Sequence, residues 1–471
     1  MAITHVPISP LPPERFRDLL GERYEEVAAA VDRAGEVLGG RAVWHLNSTA
    51  HGGGVAELLQ SLLAYARGAG VDARWSVING DADFFAITKR IHNRLHGWPG
   101  DGGELGDAER AHYEETLEAN ARELAPTVRA GDLVFCHDPQ TAGLVSPMLG
   151  VGATVLWRCH VGMDLPNDIA RGAWDFLRPY VQPADAYVFS RREFVWAGLD
   201  PEHVWIVPPS IDAFSPKNQD LTPEAVTAIL GVIGLSSPDD ATPAYRRVDG
   251  SPGRVDRRAV IDQQAPLPGD VNAVVQVSRW DALKDPIGVL RGFVGHGPDS
   301  AHLVLAGPAV EAVSDDPEGA AVLTEVRKRW AALPAPARER VHLACLPMDD
   351  ISENAAMVNA IQRRAQVVVQ KSLAEGFGLT VAEAMWKARP VIASRRGAIQ
   401  DMITDGQTGV LLDDPEDLEA FGRACTELLG DPDRAARIGA AARQRITERF
   451  LGSRHLVQYL RLIEGMPSIR G

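Results

Sequence analysis

The stretch Val367 to Pro390 reads VVVQKSLAEGFGLTVAEAMWKARP. A continuous apolar run with no polar alternation fits a strand buried on both faces of a parallel sheet. The run passes at once into a loop holding Gly376 and Gly378, and the pattern predicts a helix over 380–387. Neither glycine carries a Cβ, so backbone amides there can approach a ligand closely. The helix that follows aims its unpaired N–H groups and positive dipole end at the same place, which makes a seat for an anion. Two carboxylates bracket the turn with seven residues between them. Glu375 stands at the C-terminal end of a buried strand, where open α/β sheets bind ligands. Glu383 lies a turn inside the helix and has two readings. It can reach a ribose or sugar hydroxyl, or it closes a capping box with Thr380 as N-cap and needs no ligand.

The same strand, loop, helix succession recurs along the chain. Strand-length apolar runs stand at 41–47, 73–78, 133–137, 154–159, 186–190 and 204–207, and again at 271–277, 302–306, 341–346, 367–370 and 391–394. Helical segments separate most of them, so the expected class is α/β, with mostly parallel sheets covered by helices on both faces. At 471 residues the chain exceeds one ordinary core, and two domains are expected. The division reads as 1–212 for a first lobe, 213–448 for a second, and 449–471 for a C-terminal helix that can cross back to the first lobe. Residues 218–270 are rich in Pro, Asp, Gly and Ser and read as an insertion or extended connector. A helical stretch over 13–38 has no assigned role.

The balance of 48 basic against 63 acidic residues gives a net charge of −15, which argues against nucleic acid and anionic membranes as partners. A chain of that charge must gather its cations locally to bind an anion. Arg279 and Lys284 fit this need: they lie five apart where the run 271–277 ends, just before a helix opened by Pro286. In the first lobe, Gly52, Gly53 and Gly54 precede a helix in the layout of a phosphate cradle. The triplet fits neither a dinucleotide fingerprint nor a P-loop, and is equally an ordinary βα turn. His137-Asp138 and Arg158-Cys159-His160, leading to Asp164, stand at two strand exits and form a floor for a hydroxylated substrate. The loop from Asn79 through Asp81 to Asp83 is either a solvated turn or a further source of hydrogen bonds. Four dispersed cysteines read as buried thiols in a reducing cytosol. No signal peptide, membrane span or metal-ligand spacing is visible, so a soluble cytoplasmic protein is expected.

Glu375-Gly376-Phe377-Gly378-Leu379 followed by Glu383 resembles the E-x7-E signature of retaining, nucleotide-sugar-dependent glycosyltransferases. These are GT-B proteins, with two Rossmann-like, doubly wound lobes facing across a cleft. The segments 45–57, 157–160, 208–218, 277–286 and 369–394 are similar to one branch, the trehalose-forming synthases that join a nucleotide-activated glucose to free glucose. Fungal trehalose phosphorylases share some of them. The resemblance implies that Arg279 and Lys284 neutralise the departing diphosphate, with the amides of Gly52–Gly54 beneath it. Glu375 and the amides of Gly376, Phe377, Gly378 and Leu379 would hold the donor sugar, Glu383 the ribose, and His160 the transferred sugar near its anomeric carbon. Asp138, Asp164, Asn79 and Asp81 are the expected acceptor contacts, although Val161-Gly162-Met163 makes an unusually long spacing before Asp164. The donor would be ADP-, UDP- or GDP-glucose, with no tightly bound cofactor and Mg²⁺ as a stimulant rather than a resident ion. The expected partners are small sugars and sugar nucleotides, and a homodimer is compatible. Leaving-group phosphate would take the acceptor proton in same-face attack. A glycosidase pair of Glu375 and Asp164, phosphorolysis, another acceptor, and a non-catalytic sugar-nucleotide-binding protein are the rival readings.

Overall fold

The computed structural model describes residues 3–50, 53–310 and 318–466. The chain divides into two compact units. One runs up to Ser210 and takes in the chain again from Leu451 onward; the other is Ile211–Phe450.

The first unit is built on strands β1 (Thr4–Val6), β2 (Val43–Asn47), β3 (Ala73–Val77), β4 (Leu133–His137), β5 (Thr154–Cys159), β6 (Ala186–Phe189) and β7 (Val204–Ile206). They line up as β1-β3-β2-β4-β5-β6-β7, all parallel except β1, which pairs antiparallel with β3. Strands β2, β4, β5 and β6 are buried along their whole length, which is why their sequences show no alternation. From β2 the chain winds first to β3 on one side and then to β4 on the other. The carboxyl ends of β2 and β4 therefore flank a topological switch point. Leu46, Val134, Val155 and Trp157 pack with Phe84, Ile91, Tyr113 and Trp174 in the main core. The helix Gly452–Gly465 lies against the helices Tyr24–Leu38 and Gly54–Gly68 of the same unit.

Two features of this unit differ from the sequence reading. The lead contributes the edge strand β1, which is too short to register as a period. The helix expected over 13–38 is broken, because Gly21 adopts φ +55 and the continuous helix begins only at Tyr24.

The second unit contains a two-stranded ribbon, β8 (Ala244–Arg246) with β9 (Pro252–Arg254). Its main sheet takes β10 (Val260–Asp262), β11 (Asn272–Val277), β12 (Ala301–Pro308), β13 (Val341–Leu346), β14 (Val367–Gln370), β15 (Val391–Ser394) and β16 (Val410–Leu412). The order is β10-β13-β12-β11-β14-β15-β16, parallel apart from β10. The reversal falls between β11 and β14. The segment 218–270 is more ordered than its composition implies. It supplies the helix Pro223–Ile233, capped by the Thr222 side chain and burying Ala228, Ile229, Leu230 and Ile233, then the ribbon and β10. Each piece is short, so the sequence shows only weak periodicity there. All four cysteines are buried and none is in a disulfide. No helix among the described residues is long and apolar enough to cross a membrane.

The helix Leu379–Trp386 packs on the helix Pro432–Arg449. Gly439 permits the approach, since a Cβ there would collide with the carbonyl of Ala388. Backbone cannot swing aside as a flexible side chain can, so Gly439→Ala should cost about 1–3 kcal/mol. Thermal denaturation followed by circular dichroism checks this, and the variant should melt measurably below the parent.

Candidate active site

In the second unit the two exits that flank the switch point are stitched together. The Leu373 amide donates to the Leu283 carbonyl at 2.8 Å, and Gln276 Nε2 donates to the Lys284 carbonyl at 2.8 Å. Lys371, fully buried, bonds the Asp285 carboxylate and the Pro415 carbonyl, the latter at 2.8 Å. Asp285 caps the helix Pro286–His296 through the Gly288 amide at 2.9 Å and does so at φ +50. That left-handed conformation is uncommon outside glycine, asparagine and aspartate. These bonds fix where Lys284 points. Its ammonium meets Glu375 Oε2 at 2.7 Å, and Ser372 Oγ donates to the same oxygen at 3.2 Å. Glu375 is only 6% exposed, so the pair is a largely dewatered cation and anion at the strand exit. Arg279 is more open and contacts Asp281 at 3.3 Å. The two expected cations and Glu375 thus lie on the two loops that flank one switch point.

The glycine loop enters its helix differently from the expectation. Gly378, at φ +70, is the N-cap and the helix is Leu379–Trp386. A side chain at Gly378 would be strained and would press on Ile399 Cγ1 at 3.1 Å. Thr380 therefore does not cap; its hydroxyl donates to Gln370 Oε1 at 3.3 Å. The capping reading of Glu383 falls with it. Glu383 is buried, accepts from Gln362 Nε2 at 3.2 Å and pairs with Lys217 at 3.5 Å. Lys217 lies in the segment that leads into this unit. The next residue, Asn218, accepts from Trp386 Nε1 and Lys387 Nζ, both at 2.9 Å. Phe377 and Leu379 are buried beside the cap, and Gly376 completes the loop.

In the first unit the switch point carries a buried polar cluster. His45 on β2 bonds His137 at the end of β4, Nδ1 to Nε2, at 2.9 Å. The His137 ring stacks on His160 with centroids 5.3 Å apart and planes 8° from parallel. Asp138, held at φ +62, receives His160 Nδ1 at 2.8 Å and the His160 amide at 2.7 Å. Arg158 donates from Nε to His160 Nε2 at 3.0 Å. Burial pushes the basicity of all three histidines down. His45 reaches about 3 with help from the neighbouring His160 and Arg158. His137 falls well below its ordinary value for the same reason, reinforced by His45, His160 and Arg158. For His160 burial leads, Asp138 opposes it and Arg158 assists.

Asp138 and His160 are therefore brought together, and the other expected acceptor contacts are placed elsewhere. Asp164 accepts from Arg191 at 2.5 Å. Asp81 caps the helix Ala82–Leu95 through the Phe84 amide and bonds His112, both at 2.8 Å. The Asn79 amide and carbonyl are both taken by the Asn120 side chain at 2.8 Å. Asn79 and Asp81 follow β3, on the far side of β2 from the histidines. Gly53 and Gly54 are the N-cap and first residue of the helix Gly54–Gly68, while Gly52 lies outside the described residues. Among the described residues no cluster of three His, Cys, Asp or Glu is placed to hold a metal ion. Lys371, Asp285 and Lys217 were not singled out as site residues from the sequence, and Arg158 entered only as part of the strand-exit cluster Arg158-Cys159-His160. The only signal for the first three was proximity to residues that were.

Buried neutral histidines bind protons more weakly folded than unfolded. Stability therefore holds above the unfolded value of about 6.5 and is lost as pH falls below it. His455, also held to about 3 by burial, adds to the three above. The melting temperature should fall steadily from pH 7 to pH 5, and His45→Gln should make that fall shallower.

Two doubly wound units, each with a polar cluster at its switch point, are the architecture of the GT-B fold. The fold matches that of an α,α-trehalose-phosphate synthase (UDP-forming) from Burkholderia vietnamiensis, with a TM-score of 0.64 at 14% identity over 89% of this chain and 99% of that one. The model for glycosyl transferases group 1 matches residues 350–445, and the model for the trehalose synthase N-terminal domain matches residues 45–196. Trehalose synthase of Rubrobacter xylanophilus is 36% identical over 450 residues, spanning 95% of this chain and 94% of its own. Trehalose synthase of Pyrococcus horikoshii is 33% identical over 455 residues, spanning 96% of each. The chain belongs to the trehalose synthase family of glycosyltransferases.

Proposed function

We propose that the protein transfers glucose from a nucleoside diphosphate glucose to free glucose, with retention, to give α,α-trehalose. The observation that carries this reading is the Lys284–Glu375 pair at 2.7 Å, with Arg279 on the same exit loop. Departure of a sugar from a diphosphate builds negative charge on the phosphate and positive charge on the anomeric carbon. Fixed cations and amides aimed at the leaving group lower that barrier, by about 3–4 kcal/mol for a single well-placed donor. Lys284 and Arg279 take the diphosphate, with the N-terminus of Leu379–Trp386 as an additional dipole. Glu375 takes hydroxyls of the donor sugar. Glu383 takes the ribose, exchanging its contact with Lys217 for one with the ligand. The Asp138–His160 cluster of the first unit serves sugar hydroxyls. His160 stays neutral throughout, so the acceptor proton passes to a leaving phosphate oxygen, in attack from the same face.

The family relationship supports trehalose-related glycosyl transfer; the donor and acceptor are the further step. Incubation with ADP-, UDP- and GDP-glucose, each with and without glucose, should yield a non-reducing disaccharide only when glucose is present. NMR should show both anomeric centres in the α configuration. An inverted linkage discards retention, and glucose 1-phosphate formed from trehalose plus inorganic phosphate replaces synthesis with phosphorolysis. Arg279→Ala should lower kcat by about 10²–10³ with an unchanged circular dichroism spectrum.

A further inference from the structure

We propose that Arg158 is the positioning residue for His160, fixing its ring as the neutral Nδ1–H tautomer and tying it to the chain at Val207. The inference rests on the reading of His160 as part of the sugar site. Arg158 is fully buried near the end of β5. Its three bonds go to neutral acceptors: Nε to His160 Nε2 at 3.0 Å, one terminal nitrogen to the Phe189 carbonyl at 3.2 Å, and the other to the Val207 carbonyl at 2.6 Å. Among the described residues no carboxylate pairs with it. A buried cation of this kind is costly unless its hydrogen bonds are all made, and a guanidinium does not give up its proton. Nε is therefore a permanent donor, and His160 Nε2 must accept. The one ring proton is left on Nδ1, where Asp138 Oδ2 receives it at 2.8 Å.

The described groups placed against the ring fit this state. Asp138, from the turn after β4, takes the Nδ1 proton and favours the imidazolium. Arg158 opposes it from β5, because an Nε2 proton would stand against the Arg158 N–H. His137 stacks on the ring and is itself bonded to His45 of β2. From the last helix, His455 bonds the Pro208 carbonyl at 2.6 Å and the Ser210 hydroxyl at 3.0 Å. Thus Val207, Pro208 and Ser210, the end of this unit's first segment, are gripped by side chains of the same buried network. One guanidinium thus links the orientation of His160 to the position of Val207.

The direct test needs no substitution in the measured protein. Long-range ¹H–¹⁵N spectra of the histidine-labelled full chain, with His160 assigned by its loss in His160→Gln, should show a neutral Nδ1–H ring unchanged between pH 5.5 and 8.5. An Nε2–H tautomer, or titration within that window, overturns the proposal whether or not the protein makes trehalose. In Arg158→Met the Nε2–H tautomer should become populated in the same spectra, because the Arg158 donor no longer faces Nε2. A folded variant that keeps the Nδ1–H tautomer alone would mean that Arg158 only supports the fold and would also overturn it. Should Arg158→Met fail to fold, the spectra of the parent protein decide alone.

Discussion

The reversal of strand order at the centre of each sheet is the constraint on which the rest depends. Where neighbouring strands send their connections to opposite faces, no connection covers the gap between their carboxyl ends. Backbone amides, strand-exit side chains and helix N-termini are left facing one crevice. In the second unit that crevice lies between β11 and β14, and Arg279, Lys284 and Glu375 stand on its two loops. In the first it lies between β2 and β4, and His45, His137 and Asp138 lie along those strands and their exits. Chemistry is concentrated at two places because the winding leaves two places open.

What differs between the crevices is how charge is managed. The second unit uses explicit ion pairs: Lys284 with Glu375 and Lys371 with Asp285 are matched one to one. Such pairs can exchange partners when an anionic ligand arrives, because a phosphate replaces a carboxylate with little change in local field. The first unit keeps one unmatched guanidinium among neutral rings and carbonyls. Burial holds the histidines neutral with Arg158 assisting, and neutral rings suit hydrogen bonding to hydroxyl groups.

Much of this was legible in the sequence. Strands such as Leu133–His137 and Thr154–Cys159 lie where continuous apolar runs placed them, because burial on both faces leaves a strong mark. The Arg279, Lys284 and Glu375 set was legible because the strand-exit rule locates ligand loops without knowledge of sheet order. Three-residue strands such as β1 and β10 were not, since they are too short to carry a period and exist through their pairing partners. Gly378 was read as a loop residue whose amide can approach a ligand; its role as the cap at positive φ was not read, and the local letters T-x-x-E suggested another cap. The bonds of Arg158 to Val207 and of Lys371 to Asp285 were hidden for a different reason. They span 49 and 86 residues, and no local pattern records a bond of that separation.

The placement of Gly452–Gly465 has a consequence for the order in which the molecule is made. This helix covers the faces of Tyr24–Leu38 and Gly54–Gly68, yet it is translated after the whole of the second unit. The sheet that is synthesised earlier therefore waits, with apolar helix faces uncovered, until the second unit has been translated. The second unit, continuous in sequence, can close on its own in the meantime. The first unit to be made is the last to be completed.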